Sequence, residues 1–291
     1  METSVLRKHE SVSRALELRL AHSPDTDDAF MFYALATKKI STGSLKFVHV
    51  LEDIESLNQK AREELYDITA ISFHAYAHLL DKYVLLSVGA SFGDRYGPIV
   101  VARAPMTGES LRGKCIAVPG THTTAYLVLR LFEPEFEAKV VPFDHILDTV
   151  SSGEADAGVV IHEGQLTYAR AGLTKVADLG DWWHQQTGLP LPLGGNAVRR
   201  KLEKRTQLQI SKLLKQSIRY SLEHREEALA YALQFGRGLD ASAADQFISM
   251  YVNEWTLDYG ERGRQAVQTL LDRGYEKGLI PQHVKAEFLG T

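Results

Sequence analysis

The chain has 291 residues, of which 44% are hydrophobic and 24% charged, a globular composition long enough for two domains of ordinary size. A formal net charge of −4 leaves no basic excess to neutralise a phosphate backbone, which excludes nucleic acid as an expected partner. No run approaches the roughly 18 apolar residues of a membrane helix. The charged N-terminus lacks the apolar core of a secretory signal, so a cytoplasmic protein with no membrane partner is expected.

The first dozen residues read as a leader outside the fold. Apolar runs then alternate with longer amphipathic ones. Residues 16–21 predict a strand and 27–38 a helix with Phe30, Tyr33 and Ala34 as its apolar stripe. Strands follow at 45–51 and 68–71, with a helix at 53–62 that Asp53 can cap and another at 73–80. Further strands are expected at 83–88 and 99–102, before a turn-rich stretch at 104–113. A second set repeats the pattern: strand 115–118, helix 121–132, strand 139–142, helix 146–151, strand 157–161, a helix from about Gly164 and a strand near Lys175. Beyond 193–198 the chain reads as helical: 201–223, 226–235, 243–252 and 260–277.

This order predicts an α/β protein with mainly parallel sheets flanked by helices and a helical C-terminal region. The stretch from Leu18 through Leu35 and the stretch from Cys115 through Phe132 both read strand, proline-containing turn, then a helix start rich in hydroxyls or acids. Two lobes on one plan are therefore expected: 14–103 as the first part of lobe 1, 104–192 as an inserted lobe 2, and 193–291 returning to lobe 1. The C-terminal helices would either cover lobe 1 or form the face of a homodimer.

Ligands of open α/β sheets bind beyond the carboxyl ends of the strands. That rule selects residues 22–28, 72–76, 119–124 and 162–163. In Pro119-Gly120-Thr121-His122-Thr123-Thr124, Gly120 permits a tight turn and a helix start offers free N–H groups to a carboxylate or phosphate. A plain helix cap by the same threonines explains the pattern equally well. The turn lacks the Gly-Lys-Ser/Thr of a phosphate loop and the spacing of a dinucleotide fingerprint. In Ser23-Pro24-Asp25-Thr26-Asp27-Asp28, the acids either complement the helix dipole or, with Ser23, Thr26 and Asp27, bind ligand hydroxyls. The cluster does not complete a calcium loop, so no metal is expected.

His162 ends the apolar strand run from Gly158 to Ile161. An imidazole there suits a general base, with a satisfied structural histidine as the plainer explanation. Glu163 orients it or begins the next helix. His74 and His78 have zinc spacing on a helix but no glutamate between them and no third ligand, and read as a half-buried pair. Trp182 and Trp183 read as packing where the lobes cross over. Cys115, the single cysteine, reads as an inert thiol in a strand.

Several motifs together resemble the 1,4-dihydroxy-6-naphthoate synthase family. They are Ser23-Pro24 with Asp28, Phe30 and Phe32-Tyr33-Ala34; Leu51-Glu52-Asp53-Ile54-Glu55 with Leu57-Asn58; the run from Gly97-Pro98 to Arg103; Val118-Pro119-Gly120 with His122-Thr123-Thr124-Ala125-Tyr126; Ile161-His162-Glu163; Thr167-Tyr168; Asp178-Leu179-Gly180 with Trp182-Trp183; and the run from Thr187-Gly188 to Gly194. The resemblance runs from about residue 16 to 260. It implies the type II periplasmic-binding-protein-like fold, cyclic dehypoxanthine futalosine as an anionic small-molecule substrate, 1,4-dihydroxy-6-naphthoate as product, and a lyase of menaquinone biosynthesis that needs no cofactor. It implies His162 as general base and Thr123 and Thr124 at an acid-binding turn; the chemistry of the residues adds Gly120 on that turn, and Ser72 with Ser23, Thr26 and Asp27 as the facing surface for substrate hydroxyls. The family often has Ser-Pro-Cys-Pro-Asn-Asp where this chain has Ser23 through Asp28, so a carboxylate, Asp27, replaces an amide. Two other readings share the fold: a non-catalytic solute-binding protein, which the unexported N-terminus disfavours, and chorismate dehydratase, whose N-terminal Tyr-Leu-Asn-type motif is not seen.

Overall fold

The computed structural model describes residues 15–290, so the expectation for the first dozen residues lies outside it. In chain order the elements are β1 (Leu16–His22), α1 (Thr26–Ala36), β2 (Leu45–Leu51), α2 (Ile54–Ala61), β3 (Ile68–Ser72), α3 (Phe73–Tyr76), β4 (Tyr83–Leu85) and β5 (Ser91–Gly93). There follow β6 (Ile99–Ala102), β7 (Cys115–Val118), α4 (Thr124–Phe132), β8 (Glu137–Val140), α5 (Ile146–Ser151), β9 (Ala157–Val160), α6 (Gly164–Thr167), β10 (Thr174–Asp178) and α7 (Leu179–Thr187). The chain ends with β11 (Leu191–Arg199), α8 (Lys204–Glu223), α9 (Arg225–Ala232), α10 (Ala241–Tyr251), α11 (Glu254–Leu257) and α12 (Gly260–Glu276).

The strands form two sheets. One has the order β2-β1-β3-β11-β4 with β5 also paired to β11, and the other β8-β7-β9-β6-β10. In each, a parallel trio adjoins an antiparallel strand, β11 against β3 in one and β6 against β9 in the other. The repeated plan seen in the sequence thus has a matching strand order. The parallel trios carry the site. The antiparallel neighbours are the strands that enter after each passage between sheets, which is why neither sheet is parallel throughout.

The expected boundary at 103/104 differs from the observed pairing. β6 hydrogen-bonds within the second sheet, so the chain passes between sheets at residues 94–98. It returns through β11, which begins at Leu191 despite Pro192. A register shift between Pro192 and Gly194 lets the proline sit at a bulge rather than in the ladder.

Other departures have local causes. The helix expected at 73–80 is a single turn. Beyond it, the amides of Ala77, His78 and Leu79 donate to carbonyls three residues back, tightening the chain toward β4. The strand expected at 83–88 is shortened to β4, and β5 is a further strand beyond a turn with Gly89 at φ +76°. Helix α1 is buried nearly all round from Ala29 to Leu35 rather than along one stripe. Its outer face is covered by α8, α9 and α10, so the C-terminal helices cover the first lobe. Trp183 is fully buried, its Nε1 donating to the Pro190 carbonyl beside the return crossing, and Trp182 packs edge-on against Phe132. Among the described residues no helix is long and apolar enough to cross a membrane.

Candidate active site

The carboxyl ends of β1, β3, β7 and β9 converge on one cleft, with about 120 Å³ open to the centre of a water-sized molecule. Ser23, Asp25, Asp27, Asp28, Ile54 and Ser72 line it from one side, and Thr123, Thr124, Ala125 and Ile161 from the other. Gly89, Ser91, Leu193 to Asn196, Phe247 and Tyr251 complete the wall. No lysine, arginine or histidine is among these lining residues. Attraction for an anion must therefore come from backbone N–H groups, hydroxyls and a helix dipole.

The start of α4 supplies them. Thr123 caps the helix: its hydroxyl accepts from the Tyr126 amide at 3.2 Å and donates to the Gly120 carbonyl at 2.8 Å. Both capacities of that hydroxyl are thereby used, so for the Thr123 side chain the capping explanation holds. The cap leaves the amides of Thr124 and Ala125, at the cleft wall, without a backbone acceptor. Thr124 Oγ accepts from the His74 amide at 3.3 Å, so its proton remains free. The anion-binding capacity of this turn lies in those amides and the Thr124 hydroxyl.

Gly120 is absent from the cleft wall and serves a different purpose. At φ +153° it occupies a backbone region that suits glycine, and a Cβ there would run into the Glu55 carboxylate. Glu55, on α2, reaches across to the turn and accepts from the His122 amide at 3.1 Å and from His122 Nδ1 at 2.9 Å. Burial pushes Glu55 upward, but the His122 and Gln59 hydrogen bonds outweigh it and leave the carboxyl below its usual value. Gly120 makes room for a contact between lobes, not for a ligand.

On the facing wall, Ser72 is clamped by Asn58, which accepts from its amide at 2.9 Å and donates to its Oγ at 3.0 Å, leaving the hydroxyl proton free. Ser23 spends its hydroxyl on Asp25 at 2.5 Å and its amide on Asp28 at 2.7 Å. Thr26 does not line the cleft. Its hydroxyl donates to Glu163 Oε1 at 3.1 Å, tying α1 to the second lobe. Arg237 closes the same rim, donating to Asp25 at 2.8 Å and approaching Glu163 Oε2 at 3.4 Å. Asp27 faces the cleft. Burial first, then the neighbouring carboxyls of Asp28, Asp25 and Glu163, raise its pKa well above the usual carboxylate range. Burial and Asp25 also push Asp28 up, to about 7, against the pull of its bond from the Ser23 amide.

His162 stands one residue behind the wall. Ile161 faces the cleft, whereas the buried imidazole packs edge-on against Phe143. Its Nδ1 accepts from the Gly164 amide at 3.0 Å, which puts the neutral ring's own proton on Nε2, and Nε2 is buried without a partner. Burial lowers the His162 pKa, so the ring is neutral. The expectation that this imidazole opens directly on the cleft is not met: in the turn after β9, Ile161 lines the wall while the His162 ring is held by the Gly164 amide and Phe143.

His74 is a contact between lobes, its Nδ1 donating to the Thr123 carbonyl at 3.2 Å, and burial lowers its pKa to about 4. His78 lies beside it, ring centres 6.0 Å apart, and no group of three metal-ligating side chains occurs among the described residues. Cys115 is half-buried, and burial raises its pKa. The sequence reading missed Asn58, Glu55, Arg237, Asn196, Phe247 and Tyr251. Glu55 and Asn58 stood in the motif at 51–58 without being assigned to the site, and the others reach it from elements far along the chain.

The profile of a family described as menaquinone biosynthesis matches residues 18–276. A 1,4-dihydroxy-6-naphthoate synthase from Thermus thermophilus is 42% identical over 262 residues, covering 90% of this chain and 95% of that one. Its counterpart from Streptomyces coelicolor is 36% identical over 270 residues, covering 91% and 95%. Among solved structures, protein AF1704 from Archaeoglobus fulgidus has a TM-score of 0.88 at 50% identity, covering 91% of this chain and 98% of that chain. The alkanesulfonate-binding protein SsuA from Xanthomonas axonopodis pv. citri, bound to MOPS, has a TM-score of 0.72 at 13% identity, covering 93% and 96%. The second likeness shows the fold alone, that of the periplasmic binding proteins.

Proposed function

The chain belongs to the menaquinone biosynthesis family, and from that premise we propose that it converts cyclic dehypoxanthine futalosine to 1,4-dihydroxy-6-naphthoate, a lyase reaction that eliminates the sugar-derived part. The observation that carries this reading is the pairing of walls in one cleft: unpaired amides at Thr124 and Ala125 on one side, hydroxyl and carboxyl groups on the other. An aryl carboxylate seated on the α4 start gains two N–H donors, the Thr124 hydroxyl and the helix dipole. The sugar-derived hydroxyls then meet Ser72 and Asp27.

His162 is the general base of the proposal. Its depressed pKa keeps it neutral, and so able to take a proton, across the physiological range. To act it must release the Gly164 amide and turn past Ile161 as the substrate seats. Lobe closure excludes water from the developing charge.

Incubating the purified protein with cyclic dehypoxanthine futalosine tests the reading. Formation of 1,4-dihydroxy-6-naphthoate supports it; a stoichiometric complex with no product identifies a solute-binding protein instead. His162→Asn should lower kcat about 10²- to 10⁴-fold with its thermal unfolding unchanged. Full activity in that variant would remove His162 from the mechanism.

A further inference from the structure

We infer that Asp27 is a second catalytic group of this cleft, a carboxylic acid that gives its proton to the oxygen on which negative charge develops. The inference rests on the lyase reading above. Four carboxyls, those of Asp25, Asp27, Asp28 and Glu163, crowd the β1–α1 turn and the rim facing it, and Arg237 is the guanidinium among them. Three have committed partners. Asp25 accepts from Ser23 and Arg237, Asp28 from the Ser23 amide, and Glu163 from Thr26 with Arg237 alongside. Asp27 receives no side-chain donor, its near neighbour being the Asp28 amide, and its carboxyl borders the cleft. Asp25 and Asp28 also line the cleft but are already bonded to Ser23 and Arg237, so Asp27 is the lining carboxyl whose bonding is confined to its own turn and left open to a substrate.

Placing a further negative charge among these crowded, partly to fully buried carboxyls is unfavourable, so the cluster retains a proton. Burial acts in opposite senses on the two proposed catalytic groups. It raises Asp27 and lowers His162, so it favours the uncharged form of the acid and of the base alike. The proton inventory then balances. His162 takes a proton from the carbon beside the substrate carbonyl, and the released electron pair forms the new carbon–carbon double bond. The carbonyl π pair moves to oxygen. The Asp27 O–H bond breaks as its proton passes to that oxygen, leaving a hydroxyl on the substrate and a carboxylate on Asp27. Solvent restores both side chains after product leaves, and no oxidant or reductant is consumed.

The test compares wild type, Asp27→Asn and Asp27→Ala with cyclic dehypoxanthine futalosine across pH. The groups facing Asp27 are Asp25 and Asp28 at the start of α1, Glu163 before α6, Arg237 after α9 and Tyr251 on α10. Wild-type kcat/KM should fall as pH rises and Asp27 ionises. Asp27→Asn keeps an N–H donor and should lose about 10-fold while that alkaline fall disappears; Asp27→Ala should lose about 10²-fold. A difference infrared spectrum, wild type minus Asp27→Asn at neutral pH without substrate, should show the carbonyl stretch of a protonated carboxyl. Absence of that band, or an unchanged alkaline limb in Asp27→Asn, overturns the inference. Wild type that makes no product, yet shows the band, refutes the lyase reading instead.

Discussion

At the scale of single residues, the informative groups are those whose burial conflicts with their charge. Asp27 contributes less to stability the more it ionises. Its folded pKa is raised above the unfolded value, so its contribution is fully present below about pH 4 and is lost as pH climbs through the raised value. Asparagine does not titrate. Asp27→Asn should therefore match wild type in Tm near pH 4 and exceed it increasingly toward pH 8, as followed by thermal unfolding. A constant Tm difference across that range would mean that Asp27 is not held against ionisation. Such a gain, set beside the activity loss argued above, is the expected trade between a destabilised site and its function. Gly120 makes a different point at this scale. Its turn signal was legible, but the reason for it, the Glu55 carboxylate arriving from another element, was not.

At the scale of elements, the α4 start separates two duties that the sequence left undivided. The Thr123 hydroxyl is occupied on both sides by Gly120 and Tyr126, whereas the Thr124 hydroxyl has its proton free at the cleft. Thr123→Val should cost about 1 kcal/mol of stability with a small change in KM. Thr124→Val should raise KM several-fold with little change in Tm. Denaturant titration alongside steady-state kinetics checks both, and a reversal of the two patterns would return the anion-binding role to the Thr123 side chain. The strand, turn and helix alternation that framed this site was readable because each β–α unit carries its own apolar periodicity. β5 and the early start of β11 were not, because Gly89, Pro190 and Pro192 punctuate the sequence where pairing in space overrides them. The inward position of Ile161 rather than His162 was also hidden. Both residues lie in the turn beyond β9, where the Gly164 amide and Phe143 set the imidazole's direction.

At the scale of the whole molecule, the cleft is held shut from both rims. On one, Glu55 takes two donors from His122, and Asn58 donates to the His122 carbonyl at 3.4 Å. On the other, Thr26 and Arg237 engage Glu163, and Tyr251 donates to Gln165 at 2.8 Å. The bonds to the Glu55 and Glu163 carboxyls, where charged, contribute about 1.5–3 kcal/mol each and the neutral ones about 0.5–1.5, together comparable to the free energy that separates two domain arrangements. Each rim should then suffice to keep the lobes together. Glu55→Ala or Glu163→Ala alone should leave the small-angle scattering of the free protein close to wild type. The double variant should show a larger radius of gyration that returns toward the wild-type value on adding substrate. Substrate must then supply the closure energy that the rims supplied before, so KM should rise more in the double variant than the product of the single effects. Scattering and KM that stay at wild-type values in the double variant would show that core packing between the sheets, not the rim contacts, sets the closed state.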